Sequence, residues 1–284
     1  LKIVEECLLQ PKFDPEDFEI KKKGLLENIN YRQTNASALA EVTFKKILYG
    51  PEHILGYPGN GTSETASSIT IEDVKNYYKN LNSSIVSVAV SGAVTKAEVE
   101  TGLAFLSKLK TGTPLVADKT PIPKIEKTKI YFVDKKKAAQ SEIRIGYIAL
   151  PYEALGDFYK ASIMNFTFAD GFSSRVNYLL REIKGWTYGS RSGFSGTKNP
   201  GPYLIEGGFK SNTTDSALVE IFKEFKKYTT GGITDDELSF TKNAIAQADA
   251  LKYESPDKKL YFIKRVLDYD LSKDYVAKQT EILN

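Results

Sequence analysis

Histidine and cysteine are nearly missing from this chain: His53 and Cys7 each stand alone among 284 residues. A single histidine excludes both paired-histidine zinc motifs, H-E-x-x-H and H-x-x-E-H. A single cysteine excludes an internal disulfide and any cysteine-based metal cluster. No apolar run approaches the roughly 20 residues that cross a bilayer, so no membrane span is expected. A serine triad would have to use His53, which no G-x-S-x-G elbow accompanies, and the loop histidine is read as a packing or surface residue. "GGFKSN" and "GNGTSET" are glycine-bearing turns without the G-K-[ST] geometry of a phosphate loop. The chain has no initiating methionine, and Leu1 begins inside an apparent helix, "LKIVEECLLQ". It therefore reads as part of a longer or processed protein.

What is present is apolar material and balanced charge. Hydrophobic residues make up 41% and aromatics 12%, enough to bury a core. Thirty-nine basic residues against 36 acidic ones give a net charge of +3. Lysines alternate with acids along most helices, so no basic face for nucleic acid is expected. The length suggests two domains.

The pattern along the chain divides the same way. An acidic first turn at Asp14, Glu16 and Asp17 predicts a helix start, because carboxylates favour the positive end of the helix dipole. "ASALAEVTFKKILYG" predicts a second helix stopped by Gly50 and Pro51, and "PEHILGYPGNGTSET" a loop. "TIEDVKNYYKNL" predicts a capped helix and "TKAEVETGLAFLSKL" a further helix, on either side of a strand, "SSIVSVAVSG", apolar enough to be buried on both faces. Residues 113–127 hold three prolines and no helical period, which predicts a linker between a unit at 1–112 and another at 128–284. The second unit reads as strands at 129–135 and 141–150, helices near 155–168 and 173–184, strands at 186–195 and 202–210, then two amphipathic helices. No closing strand follows.

The segment "LREIKGWTYGSRSGF", 180–194, joins a helix to a strand with two polar side chains at the junction. Arg181 falls in the last helical turn and Tyr188 at the start of the strand. Two readings stand here. An arginine at a helix C-terminus satisfies exposed carbonyls, and a tyrosine in a strand is ordinary. Alternatively, a charged fork of donors and a phenolic hydroxyl are suited to holding a peptide or an oxyanion.

Fixed spacings around this segment carry a resemblance. Gly171-Phe172-Ser173-Ser174-Arg175 followed by Leu180-Arg181-Glu182-x-x-Gly185-x-x-Tyr188 resembles the second half of the pitrilysin and insulin-degrading-enzyme family of inverzincin metallopeptidases, which includes the mitochondrial-processing-peptidase-like proteins. His53-x-x-Gly56-x-x-x-x-Gly61-Thr62, the 15–30 helix and "ITIEDVKNYYKNL" with "SVAVSGAVTKAEVE" are similar to other family elements, so the likeness covers nearly all of 8–284.

The resemblance implies an α+β fold: two processing-peptidase-like domains, both truncated, each with helices on one face of a mostly antiparallel sheet. The first unit would be the back half of one domain, and the second a substrate clamp whose Arg181 and Tyr188 bind the peptide. In active relatives a glutamate on the 15–30 helix completes the zinc site, with another seven residues before it. Asn28 and Lys21 stand in those places. Neutral Asn is a poor zinc ligand and Lys repels a cation. A slip of one position would make Glu27 the ligand, although one step along a helix swings a side chain by about 100°.

The resemblance therefore implies a chain without its own metal. It would work beside a catalytic half, in the same or another polypeptide, that carries the zinc. Its alternatives are a structural or interaction protein that kept the fold, or a piece of an active peptidase whose H-x-x-E-H lies before residue 1. The compartment is open; in a bacterium the family permits the periplasm or cell envelope.

Overall fold

The computed structural model describes residues 1–114 and 121–284. The linker expected over 113–127 lies partly outside the described residues. Its described parts contain no helix or strand.

Side-chain caps set most helix starts. After α1 (Lys2–Leu9), helix α2 (Pro15–Thr34) begins where Asp14 accepts the N–H groups of Glu16 and Asp17 at 2.8 and 3.2 Å. Those are donors that an uncapped helix leaves unpaired. Asn35 ends α2 and caps α3 (Ala36–Tyr49), accepting from the Ala38 N–H at 2.9 Å. A 3₁₀ turn, Ile54–Gly56, precedes α4 (Ser63–Ser68), so a helix occupies the end of the expected loop. Reciprocal capping boxes open α5 (Ile71–Tyr78), through Thr70 and Asp73, and α6 (Lys96–Gly102), through Thr95 and Glu98.

The strand expected at 83–92 does not form. Ser83–Ile85 is a 3₁₀ turn, and Val88 and Val90 are exposed rather than buried on both faces. The strand expected at 129–135 is likewise extended but unpaired, with Ile130 and Phe132 exposed. Apolar runs with strand character become strands only when a neighbour completes the ladder. Among the described residues nothing pairs with either segment.

The sheet has strands β1 (Gln140–Ile148), β2 (Thr187–Phe194) and β3 (Pro202–Lys210) in the order β1-β3-β2, antiparallel throughout. Between β1 and β2 run α7 (Asp157–Asn165) and α8 (Arg175–Asn177), each continued by a wide π-type turn, at Phe166–Asp170 and Tyr178–Ile183. After β3 come α9 (Thr214–Gly231), α10 (Asp235–Ala250), α11 (Pro256–Tyr269) and α12 (Tyr275–Leu283).

One face of the sheet makes the main core. Alternation brings Ile143, Ile205 and Phe209 to the same side, where they meet Phe168, Val176, Leu180 and Ile221 from the helices. Buried apolar area on this face is the principal stabilising term. The opposite face carries Arg144 and Gly146 on β1. There Arg144 pairs across the ladder with Glu206 at 3.0 Å and donates to the Ser37 hydroxyl of α3 at 2.9 Å. At Gly146 an added Cβ would lie 2.2 Å from the Tyr203 carbonyl oxygen and 3.0 Å from the Phe44 ring. Glycine is what lets α3 lie against β1 there. The fold is α+β, helices against a small antiparallel sheet, as the sequence led us to expect.

Candidate functional site

The junction around Arg181 and Tyr188 is built by two departures from regular geometry. The first is the π-type turn over Tyr178–Ile183, in which the Lys184 N–H reaches the Leu179 carbonyl at 3.0 Å. An extra residue in a helical turn shifts the side chains around the axis, and such turns are frequent at functional sites. Gly185 then takes a φ of +62° and the Trp186 N–H closes the end on the Leu180 carbonyl at 3.0 Å. A left-handed residue at this point favours glycine.

The second departure is a β-bulge. Thr187 pairs with Phe209 but Ser190 pairs with Gly207, so β2 carries one residue more than β3 across this step. Bulges re-aim side chains. Here the result is Tyr188 at 91% exposure, beside a buried Thr187. The Thr187 hydroxyl donates to the Gly208 carbonyl at 2.7 Å and receives the Gly189 N–H at 3.0 Å, which fixes the bulge from inside. Asn177, buried on α8, holds it from the other side. Its Oδ1 accepts the Ser190 N–H at 2.9 Å while its Nδ2 donates to the Phe172 carbonyl at 2.7 Å.

Phe172 is in turn the platform for Arg181. The guanidinium carbon sits 4.4 Å from the Phe172 ring centroid, and Nη1 donates to Glu182 Oε1 at 2.7 Å. Among the described residues Arg181 donates to no backbone carbonyl, so it does not close its own helix. A guanidinium has five N–H donors, and most of these remain free for a ligand. No hydrogen bond joins Arg181 to Tyr188. Phe172, Tyr178 and Ile183, from the same stretch of chain, are also exposed. Phe172 and Asn177 were not singled out from the sequence. A buried Asn in a helix, which is a poor position for it by propensity, was the available signal.

The neighbouring residues are structural. Trp186 packs against the core. Arg175 braces the start of α10 rather than its own helix, with Nε and Nη2 on the two Glu237 oxygens at 2.5 and 2.6 Å and a further bond to the Gly232 carbonyl. That guanidinium holds the Glu237 carboxyl down at about 2, well below its ordinary value. His53 is buried, stacks on Tyr49 at 5.1 Å and caps a 3₁₀ turn through Nδ1. β2 lies at the edge of the sheet and β3 is central, but the outward groups of β2 are taken: the Ser190 N–H donates to Asn177 Oδ1 and the Ser192 carbonyl accepts from Asn165 Nδ2 at 3.3 Å.

Comparison with known proteins identifies the chain. A model of the "Peptidase M16 inactive domain" matches residues 68–245. The chain belongs to the peptidase M16 family, in its inactive-domain branch. An uncharacterized zinc protease of Bacillus subtilis (strain 168), YmxG, is 24% identical over 92% of this chain and 62% of its own length. A non-peptidase homolog, YmxG of Helicobacter pylori (strain ATCC 700392 / 26695), is 24% identical over 90% of this chain and 59% of its own. The chain thus spans about three-fifths of the curated relatives it matches. A peptidase M16 inactive domain from Pseudomonas fluorescens superposes with a TM-score of 0.79 at 21% identity, over 99% of this chain and 67% of that one. At that identity the likeness concerns the fold.

M16 peptidases are zinc enzymes, so the α2 face must be tested for a metal. Lys21, Glu27 and Asn28 are all exposed on α2. The Asn28 amide oxygen accepts from Asn60 Nδ2 at 3.4 Å, and Lys21, seven residues earlier, lies on the same helical face. Among the described residues no group of three or more His, Cys, Asp or Glu could hold a metal ion. A neutral amide beside a lysine does not suit zinc, and Glu27 has no second ligand to complete a site. No described helix is long and apolar enough to cross a membrane.

Proposed function

We propose that this M16 chain is the zinc-free, substrate-binding half of a metallopeptidase. It holds an extended peptide for hydrolysis by a catalytic half, which carries the zinc in the same polypeptide or another. One observation carries the reading. A bulge turns Tyr188 fully outward on the strand that follows the turn carrying Arg181, an arginine held on an aromatic platform with free donors. In this reading the Arg181 fork and the Tyr188 hydroxyl donate to peptide carbonyls or to the oxyanion that develops during cleavage. The division into units at 1–112 and 128–284, the second acting as the clamp, belongs to the same proposal.

Arg181→Ala, in the protein assembled with its catalytic half, should lower kcat/KM about a hundredfold or more, since oxyanion donors are worth about 3–4 kcal/mol. Its thermal unfolding should match the parent, because Arg181 bonds only to the adjacent Glu182. Unchanged kinetics would assign the pair to structure. That outcome favours a second reading, a structural or interaction protein without peptidase work, which the description of the Helicobacter pylori relative as a non-peptidase homolog supports.

A further inference from the structure

A concave surface lies apart from the junction just described and shares neither Arg181 nor Tyr188 with it. Tyr152, Phe158, Phe194, Tyr261 and Tyr269 wall a cleft of about 390 Å³ between the end of β2, the loop before α7, and α11. The rings are in contact, with Tyr152 centred 4.3 Å from Tyr269 and 5.2 Å from Phe158.

Arg265 enters this aromatic wall. Its guanidinium carbon lies 5.4 Å from the Tyr152 centroid and 4.9 Å from that of Tyr261, and Nη2 donates to the Tyr261 hydroxyl at 2.6 Å. Among the described residues no carboxylate comes within 4.0 Å of Arg265. Asp268 also faces the cleft but is paired with Lys264. A partly buried guanidinium ordinarily has an acidic partner, because desolvating an uncompensated charge is costly. The Tyr152 hydroxyl is sealed from solvent beside this guanidinium. A guanidinium without a carboxylate partner is therefore held against the aromatic walls of the cleft.

The chemistry of an occupant follows by elimination. Aromatic walls suit a cation, but Arg265 already takes that role and would repel a second one. A dianionic phosphate would meet Asp268 on the same wall with a single unpaired cation to balance it. A carboxylate matches the arginine fork in charge and geometry, and a ring attached to it would stack on the walls.

We propose that this cleft binds a carboxylate borne on an aromatic group, whether a free aromatic acid or the C-terminus of a peptide that ends in an aromatic residue. The site is independent of the reading of Arg181 and Tyr188.

Calorimetric titration of the whole chain tests it with three probes: N-acetylphenylalanine, its C-terminal amide, and a hexapeptide ending in a free phenylalanine. The acid should bind about tenfold or more tightly than the amide, since a bond to a charged group is worth about 1.5–3 kcal/mol. Arg265→Gln should abolish that preference. Arg265→Lys, which keeps the charge but not the fork, should weaken the acid about threefold to tenfold and retain part of its preference over the amide. This second variant guards against a folding defect in the first. Tighter binding of the hexapeptide than of the free acid would identify a peptide terminus as the source, and equal binding a small acid. Equal affinity for acid and amide, no binding of any probe, or a preference for the acid that survives Arg265→Gln would overturn the proposal.

Discussion

Two arginines six residues apart have opposite fates, and their surroundings explain both. Arg175 is spent on structure: its fork closes on Glu237, and its face lies over the Tyr228 ring at 4.9 Å. Arg181 has an aromatic platform and one neighbouring acid, with donors to spare. The Arg175 pair has a definite pH signature. The folded-state pKa of Glu237 is depressed to about 2, so its stabilisation is fully present above its ordinary value of 4.5 and is lost as pH falls from there towards 2. Glu237→Gln should cost about 1–2 kcal/mol near neutral pH, between the values for exposed and buried pairs. Unfolding curves recorded against pH should show the parent and variant converging through that acid window. Parallel curves would mean that the pair contributes nothing. None of this could be read from sequence spacing, because Arg175 and Glu237 lie 62 positions apart. The Arg181–Tyr188 spacing was visible because both sit at one junction.

The turn–strand junction is a single mechanical unit, and Asn177 is its pin. Asn177→Ala would leave the buried Ser190 N–H and the Phe172 carbonyl without partners, a loss of about 2–3 kcal/mol. It should also weaken peptide binding by releasing the bulge that aims Tyr188. Tyr188→Ala, which removes an exposed ring, should weaken binding with no loss of stability. Chemical denaturation and peptide titration of both variants check this contrast.

Here the reach of the sequence is clear. The alternation in 186–195 and 202–210 placed β2 and β3 to within about a residue, and acidic first turns placed α2, α5 and α10, because those signals are local. The bulge and the π-type turns were not legible, since each depends on the register of a distant partner. Residues 83–92 and 129–135 misled for a related reason: their strand-like composition has no ladder to join among the described residues. Helix α11 starts at a signal of the same local kind, with Ser255 as its cap and Pro256 opening it.

The chain as a whole is held together by more than its connecting segment. α3, from the expected first unit, lies against β1 of the second through Arg144, Ser37 and Phe44. Limited proteolysis should cut first within 113–127, whose described residues have no helix or strand and are largely exposed. The two pieces should still elute together on gel filtration, because the α3–β1 contact does not depend on the cut. Separation of the fragments would mean that this contact is weak. The family match places residues 68–245 in the M16 inactive domain. What such a unit contributes rests on whether a peptide lies against Tyr188. A photocrosslinking amino acid placed at position 188, irradiated with a labelled unfolded peptide, measures that contact directly. The account predicts labelling at 188 that excess unlabelled peptide suppresses, and none from the same probe at Lys226 on α9; equal labelling at both positions, or labelling that competitor does not reduce, would contradict it.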